Sequence, residues 1–251
     1  MTVVKIGGAL LGADLSGFWE QVAALEGQVV IVHGGGPQST DMARRLGHEP
    51  RMVRGRRVTS DLDLAIVKWV LRGELSTDLV GSALQAGVRA VGISGADAGM
   101  VRVDRRPPWT VDGEDVDFGW VGDVTSVDAR LVSDLLDAGW VPIVTPMGTD
   151  ASGQVYNVNA DTIALELAAA LKADTFLLAT EVGGVLGADG QRIERLPGAV
   201  ADAGVQGGWI AGGMQVKVHV ARQALARGVG AAWVVAADDL VHRERATQVE
   251  E

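Results

Sequence analysis

Short apolar runs alternate along this chain with longer segments in which apolar residues recur at spacings of three and four. Apolar runs of strand length ending at glycine mark strands buried on both faces, whereas the three-and-four spacing marks helices with one buried side. The pattern predicts strands at Val3–Ile6, Val29–Val32, Ala90–Ile93, Val141–Val144, Thr175–Leu178 and Ala232–Val235. Between them it predicts helices at Ser16–Leu25, Gln38–Leu46, Leu62–Leu71, Ser76–Gln85, Ser126–Ala138, Asp161–Leu171 and Met214–Arg227. Gly139 and Gly228 stand where a helix ends in a left-handed residue just ahead of a strand. Alternation of this kind makes an α/β protein whose mainly parallel sheet is covered on both faces.

From Met100 to Val124 the pattern changes, because short apolar stretches alternate with charges and turn residues. This interval reads as an antiparallel excursion at the edge of the main sheet. No linker-like or low-complexity segment divides the chain, and it has no internal repeat. Two lobes, if present, share one continuous core, with a change of role near residue 171.

Composition narrows the function. A chain of 251 residues, 47% of them hydrophobic, has ample core for one large α/β domain or two lobes on one sheet. Its 34 glycines gather at the ends of the apolar runs, as loops around a parallel sheet require. With 22 basic and 32 acidic side chains the formal net charge is -10, which argues against nucleic acid or an anionic membrane as the main partner. An anionic substrate would therefore need a local basic pocket. The absence of cysteine removes disulfides, thiolate catalysis and a cysteine-based zinc site, and His33, His48, His219 and His242 are too scattered for metal-ligand spacing. The first strand begins at residue 2, leaving no room for a signal peptide, and no apolar run reaches the ~18 residues of a membrane span. A soluble cytoplasmic protein is expected. The seven Trp beside a single Tyr carry no functional reading.

Lys5 ends an apolar strand, where its head either snorkels to water or faces an anion. That strand runs into Gly7-Gly8, and the next ends at His33-Gly34-Gly35-Gly36-Pro37. Both glycine turns could be tight turns only, or could aim backbone N–H groups at one anion beyond the strand ends. Neither the P-loop pattern nor the dinucleotide fingerprint is present. In Asn157-Val158-Asn159-Ala160-Asp161, one polar side chain would suffice to cap the following helix, which leaves others to grip a small polar ligand or orient a lysine. Gly212-Gly213 opens a helix that carries Lys217 in its first turn, where positive charge opposes the helix dipole unless an anion sits there too. Arg51, Arg54, Arg56 and Arg57 form a basic cluster in an acidic chain, of which one could take a carboxylate bidentately while at least two remain solvated.

The order of these motifs is specific. Lys5-Ile6-Gly7-Gly8, His33-Gly34-Gly35-Gly36, Gly55-Arg56-Arg57-Val58-Thr59, Gly153 through Asp161, Thr180 through Leu186, and Gly212-Gly213-Met214-Gln215-Val216-Lys217 resemble the amino acid kinase family over residues 2 to about 236. Within that family they are most similar to the branch that phosphorylates the γ-carboxylate of N-acetyl-L-glutamate with ATP in arginine biosynthesis. The resemblance implies a three-layer αβα sandwich, with acceptor binding and dimerisation in residues 1–170 and ATP binding in residues 171–251. It implies that Lys5 and Lys217 touch the transferred phosphoryl group from opposite lobes and that Asp161 holds both lysines. Gly7, Gly8 and Gly34 would offer N–H groups to the phosphates and reacting carboxylate. Gly35, Gly36, Arg57 and Asn157 would bind the acceptor, with Arg57 on its α-carboxylate. Thr180, Glu181, Val182, Gly183, Gly184, Val185 and Leu186, with Trp209, Ile210, Ala211, Gly212, Gly213 and Met214, would border the nucleotide.

Mg²⁺ would travel on ATP, with no metal held by the protein alone. The chain begins without the extra N-terminal helix of arginine-inhibited hexameric members, so a homodimer insensitive to arginine is expected. An alternative is the related branch acting on α-aminoadipate or glutamate attached to an acidic carrier protein, which the arginines at 51–57 could serve. A non-catalytic nucleotide or amino-acid sensor is a further one, although a sensor need not keep Lys5, Asp161 and Lys217 together.

Overall fold

The structure, a computed structural model, describes all residues from Met1 to Glu251. Each of the six expected strands is present, and all join one eight-stranded sheet in the order Arg195–Leu196, Thr247–Val249, Ala231–Ala236, Thr175–Thr180, Thr2–Ile6, Val29–His33, Val141–Thr145, Ala90–Ser94. The first two named run antiparallel to the other six, which are parallel. The central strands are apolar throughout because both faces are covered. Alternate residues feed two cores: Val3, Val30, Val32, Phe176 and Leu178 pack under the helices Ala160–Ala170 and Gly212–Ala226. Val4, Ile6, Ile31, Leu177 and Ala179 pack under Ser16–Ala24 and the helical stretch from Asp61 to Gln85. Lys5 lies opposite Val32 and Leu178 in the register, so its side chain enters the first of these layers.

Thr2–Ile6 is central, and its sheet neighbours come from different halves of the chain. Ile6 is level with His33 and Ala179, so three strands end together. A crevice at such a reversal of strand order, outside the carboxyl ends, is where open α/β sheets bind ligands. Gly139 and Gly228 close their helices at φ 77° and 89°, in the left-handed region where a Cβ would be strained.

Several expectations are corrected. The Met100–Val124 interval does not extend the main sheet; Pro146, which cannot donate to a ladder, follows the strand Val141–Thr145, and the chain turns onto a second sheet. That sheet has the order Val155–Asn157, Met147–Thr149, Val101–Arg105, Gly122–Val127, with a separate hairpin of Trp109–Val111 and Glu114–Val116. The helix expected from Ser126 begins at Arg130, because Gly122–Val127 is tied to Val101–Arg105 and Asp128 then accepts from the Arg130 N–H. The helices expected at Leu62–Leu71 and Ser76–Gln85 are continuous, joined through a wide π turn at Lys68–Leu75. The helix Gly198–Gln206 and the strand Thr247–Val249 were not anticipated. No helix is long and apolar enough to cross a membrane.

Candidate active site

The site is assembled from strand ends and helix starts. Asn159 Oδ1 accepts from the Thr162 N–H at 3.1 Å and caps the helix Ala160–Ala170, which frees Asp161 from that task. Asp161 Oδ1 instead meets Lys5 Nζ at 3.0 Å, with both side chains almost withdrawn from solvent. The contact is an ion pair without hydrogen-bond alignment, so the carboxylate retains acceptor capacity. Lys217, in the first turn of Gly212–Ala226, donates to the Gly213 carbonyl at 3.3 Å. Burial lowers the basicity of Lys217, while Asp161 raises it and Lys5 lowers it. All three charges share one field, but Asp161 pairs directly with Lys5 alone; it does not clasp both lysines.

The glycine turns differ in what they offer. The N–H groups of Gly7 and Gly35 have no hydrogen-bond partner in the chain. That of Gly34 is taken by the Ile6 carbonyl at 2.9 Å, because the register extends one residue beyond the strand, so Gly34 has none to give a ligand. The two turns are in close contact: a Cβ on Gly8 would come within 2.9 Å of Gly35 N. Gly35, at φ 154°, could accept no side chain, since its Cβ would lie 2.1 Å from Leu71 Cδ2. His33 braces this region from below. Its Nδ1–H donates to the Gly34 carbonyl at 2.8 Å, which leaves Nε2 to accept from Thr145 Oγ1 at 3.0 Å. Burial pushes its pKa down to about 4, so the ring is neutral at physiological pH.

Beside Lys5 and Asp161 opens a cavity of about 630 Å³ that is also lined by Gly35, Gly36, Arg57 and Asn157. Arg57 is buried, donating to Thr40 Oγ1 at 2.6 Å and the Gly36 carbonyl at 3.2 Å and facing Asp63 at 3.4 Å. Asp63 is fixed in turn by Ser60 Oγ, which donates to it at 2.6 Å, and His48 Nε2 lies 3.1 Å from it without hydrogen-bond alignment. Asn157, which lines the cavity, donates to Thr59 Oγ1 at 3.2 Å, and its side-chain carbonyl oxygen has no partner in the chain. Arg51 and Arg54 are exposed, whereas Arg56 and Arg57 both line the cavity. Sequence reasoning missed Arg106, which lines the same cavity, pairs with Asp123 at 2.6 Å and covers the Trp109 ring at 4.5 Å. Arg105-Arg106-Pro107-Pro108 offers no motif that marks it.

A second cavity, of about 1020 Å³, lies between residues 54–56, the helix Gly198–Gln206 and the start of Gly212–Ala226. Of the residues expected around a nucleotide, Gly212 and Gly213 line it. Glu181, Val182, Leu186 and Ala211 are exposed, and Trp209 and Met214 are partly so. Thr180, Gly183 and Gly184 are buried, with Thr180 Oγ1 accepting from the Gly183 N–H. The side chains of Val185 and Ile210, each 1% exposed, belong to the core and support the neighbouring loops by packing. No group of three or more His, Asp or Glu side chains stands close enough to hold a metal ion.

Glycine turns at the switch point of a parallel sheet, with two lysines and a carboxylate in one field, define a phosphotransferase-type α/β protein. The chain belongs to the amino acid kinase family, whose model matches residues 1–236. It is similar to the acetylglutamate kinase of Methanopyrus kandleri, with 42% identity over 231 residues that cover 91% of this chain and 92% of that one. The acetylglutamate kinase of Symbiobacterium thermophilum is 39% identical over 93% of this chain and 83% of its own. Among solved structures, smu.665 from Streptococcus mutans UA159 superposes with a TM-score of 0.82 at 29% identity, covering 93% of this chain and 94% of that one.

Proposed function

We propose that the chain transfers the γ-phosphoryl group of ATP to the γ-carboxylate of N-acetyl-L-glutamate, a step of arginine biosynthesis. The observation that carries the reading is one cavity lined by both Arg57 and the Lys5–Asp161 pair. An acceptor with two carboxylates can place one on a buried guanidinium and leave the other beside the lysine. The similarity to acetylglutamate kinases over nine-tenths of the chain supports that acceptor.

The chemistry needs no general base. A γ-carboxylate with an ordinary pKa near ~4.3 is ionised at neutral pH and can attack phosphorus directly. Catalysis then reduces to in-line positioning and charge neutralisation. Lys5 and Lys217 would neutralise the moving phosphoryl group from residues 1–170 and 171–251 respectively, with Asp161 fixing Lys5. The free N–H groups of Gly7 and Gly35 would bind phosphate or carboxylate oxygens, and Gly8, Gly36 and Asn157 would complete the contacts. The loops at 180–186 and 209–214, through exposed positions such as Glu181, Val182, Leu186 and Ala211, would receive the nucleotide. Any Mg²⁺ would be carried by ATP oxygens and water, since the chain brings together no cluster of ligands for it.

Incubation with ATP and N-acetylglutamate, with the acyl phosphate trapped as its hydroxamate, tests the reading. Turnover of the free acid is expected. Turnover only with a carrier-linked amino acid, or none with either, would overturn it. Of the four arginines from 51 to 57, Arg56 and Arg57 line the cavity, while Arg51 and Arg54 remain exposed, Arg54 beside Asp112 at 2.6 Å.

A further inference from the structure

The two cavities share four lining residues: Gly55, Arg56, Asn159 and Asp161. Any group passing between them passes these residues, of which Arg56 is the sole cation. The other arginines of the first cavity each have a carboxylate: Arg44 has Glu49 at 2.8 Å, Arg57 has Asp63 at 3.4 Å, and Arg106 has Asp123 at 2.6 Å. Arg56 is half-buried yet makes no hydrogen bond or ion pair, and only the Trp109 ring, 5.2 Å away, supports it. Five partly desolvated donors without an acceptor are costly unless a ligand supplies one. Burial, and after it the charge of Arg106, lowers the basicity of Arg56 while Asp123 and Asp161 raise it, but a guanidinium stays protonated in such surroundings.

We propose that Arg56 is a catalytic residue for the transfer: its planar fork binds the phosphoryl oxygens at the junction of the two cavities and neutralises them as the group crosses. In that step the acceptor carboxylate oxygen bonds to the γ-phosphorus as the bond to the bridging β,γ-oxygen breaks, the electron pair leaves with ADP, and no proton moves. The charge on the equatorial oxygens is what a guanidinium meets with two parallel N–H donors. The Trp109 ring, which Arg56 overlies at 5.2 Å and Arg106 at 4.5 Å, borders the fork. The proposal rests on reading the site as one of phosphoryl transfer, and it holds whichever carboxylate is the acceptor.

Arg56→Ala and Arg56→Lys, compared with wild type in steady-state kinetics, provide the test. We expect Arg56→Ala to lower kcat at least about tenfold with both KM values within about threefold, and Arg56→Lys to be intermediate. Millimolar guanidinium ion should restore part of the Arg56→Ala rate and leave wild type unaffected. A kcat for Arg56→Ala within about twofold of wild type, or a change confined to acceptor KM, would overturn the proposal. If wild type acts only on another acceptor, the acceptor assignment falls, and the same ratios measured on that acceptor decide the role of Arg56. Binding of ADP with acceptor and aluminium fluoride, a mimic of the moving phosphoryl group, gives a readout independent of turnover. Arg56→Ala should weaken it at least about tenfold while leaving ADP alone within about twofold, and equal weakening of both would count against the proposal.

Discussion

Lys5 Nζ lies 3.0 Å from Asp161 Oδ1, joining the central strand to the first turn of the helix above it, with only 6% and 11% of the two side chains exposed. Breaking such a pair from one side leaves a buried charge without compensation. Asp161→Asn should cost about 3 kcal/mol of stability in urea denaturation, and it should lower kcat by roughly a hundredfold, because Lys5 loses its fixed position. The double variant Lys5→Met/Asp161→Asn should recover most of the stability and none of the rate. A single variant as stable as wild type would contradict the buried pair.

Lys217 is constrained differently, since it has no ion pair and its ammonium meets only the Gly213 carbonyl. Lys217→Ala should therefore change stability by less than ~1 kcal/mol. Its contact with a moving phosphoryl group strengthens as charge develops, so kcat should fall far more than acceptor KM rises. A kcat within about threefold of wild type, under ~1 kcal/mol, would remove Lys217 from the reaction. Burial lowers its pKa below the ordinary lysine value in the free protein, so wild-type kcat/KM, which reports the free enzyme, should decline on the alkaline side earlier than an exposed lysine would dictate. Lys217→Arg should abolish that alkaline decline.

Arg57 lines the cavity with its guanidinium held by Thr40, Gly36 and Asp63. Arg57→Ala should raise the KM for N-acetylglutamate about thirtyfold, near ~2 kcal/mol, a typical worth for a hydrogen bond to a charged group. The KM for ATP should stay within about twofold. Parallel increases in both KM values would show that Arg57 supports the fold of the cleft and does not bind the acceptor. Asp63 keeps its hydrogen bonds with Ser60 when Arg57 is removed, so the helix opened by Ser60 should survive.

The central sheet was legible because its strands are buried on both faces, and continuous runs such as Val29–Val32 have no competing helical reading of that length. The second sheet was not. Its three-residue strands Met147–Thr149 and Val155–Asn157 are too short for an alternation to register, and Val127, Leu131 and Leu135 mimic a helical spacing across a strand boundary. In the site, Lys5 and Asp161 were visible as charges in apolar surroundings, whereas Arg106 depends on Asp123, 17 residues away, which no local motif encodes. Arg56 could not be told from Arg51 within a run of arginines, since burial separates them and burial comes from the fold. The loss of the Gly34 N–H to Ile6 follows from strand register, which the composition of a glycine turn does not disclose.

His33 makes the glycine turns sensitive to acid. Its ring is fully buried between the Gly34 carbonyl and Thr145, and desolvation is the main cause of a pKa lowered from 6.5 to about 4, with the Gly34 bond opposing and Arg72 assisting. The unfolded chain takes up a proton near pH 6.5 that the native protein refuses until about pH 4, so the stability His33 contributes is complete above 6.5 and is lost as pH falls between those values. At ~1.4 kcal/mol per pH unit, the whole loss is about 3 kcal/mol. Protonation would also replace the Nε2 acceptor with a second donor facing Thr145, whose hydroxyl would have to rotate. Urea midpoints measured from pH 7 to pH 4.5 should fall more steeply for wild type than for His33→Asn, whose amide cannot titrate. Equal slopes for the two proteins would mean that another group carries the acid sensitivity and that the ring is not held neutral by burial.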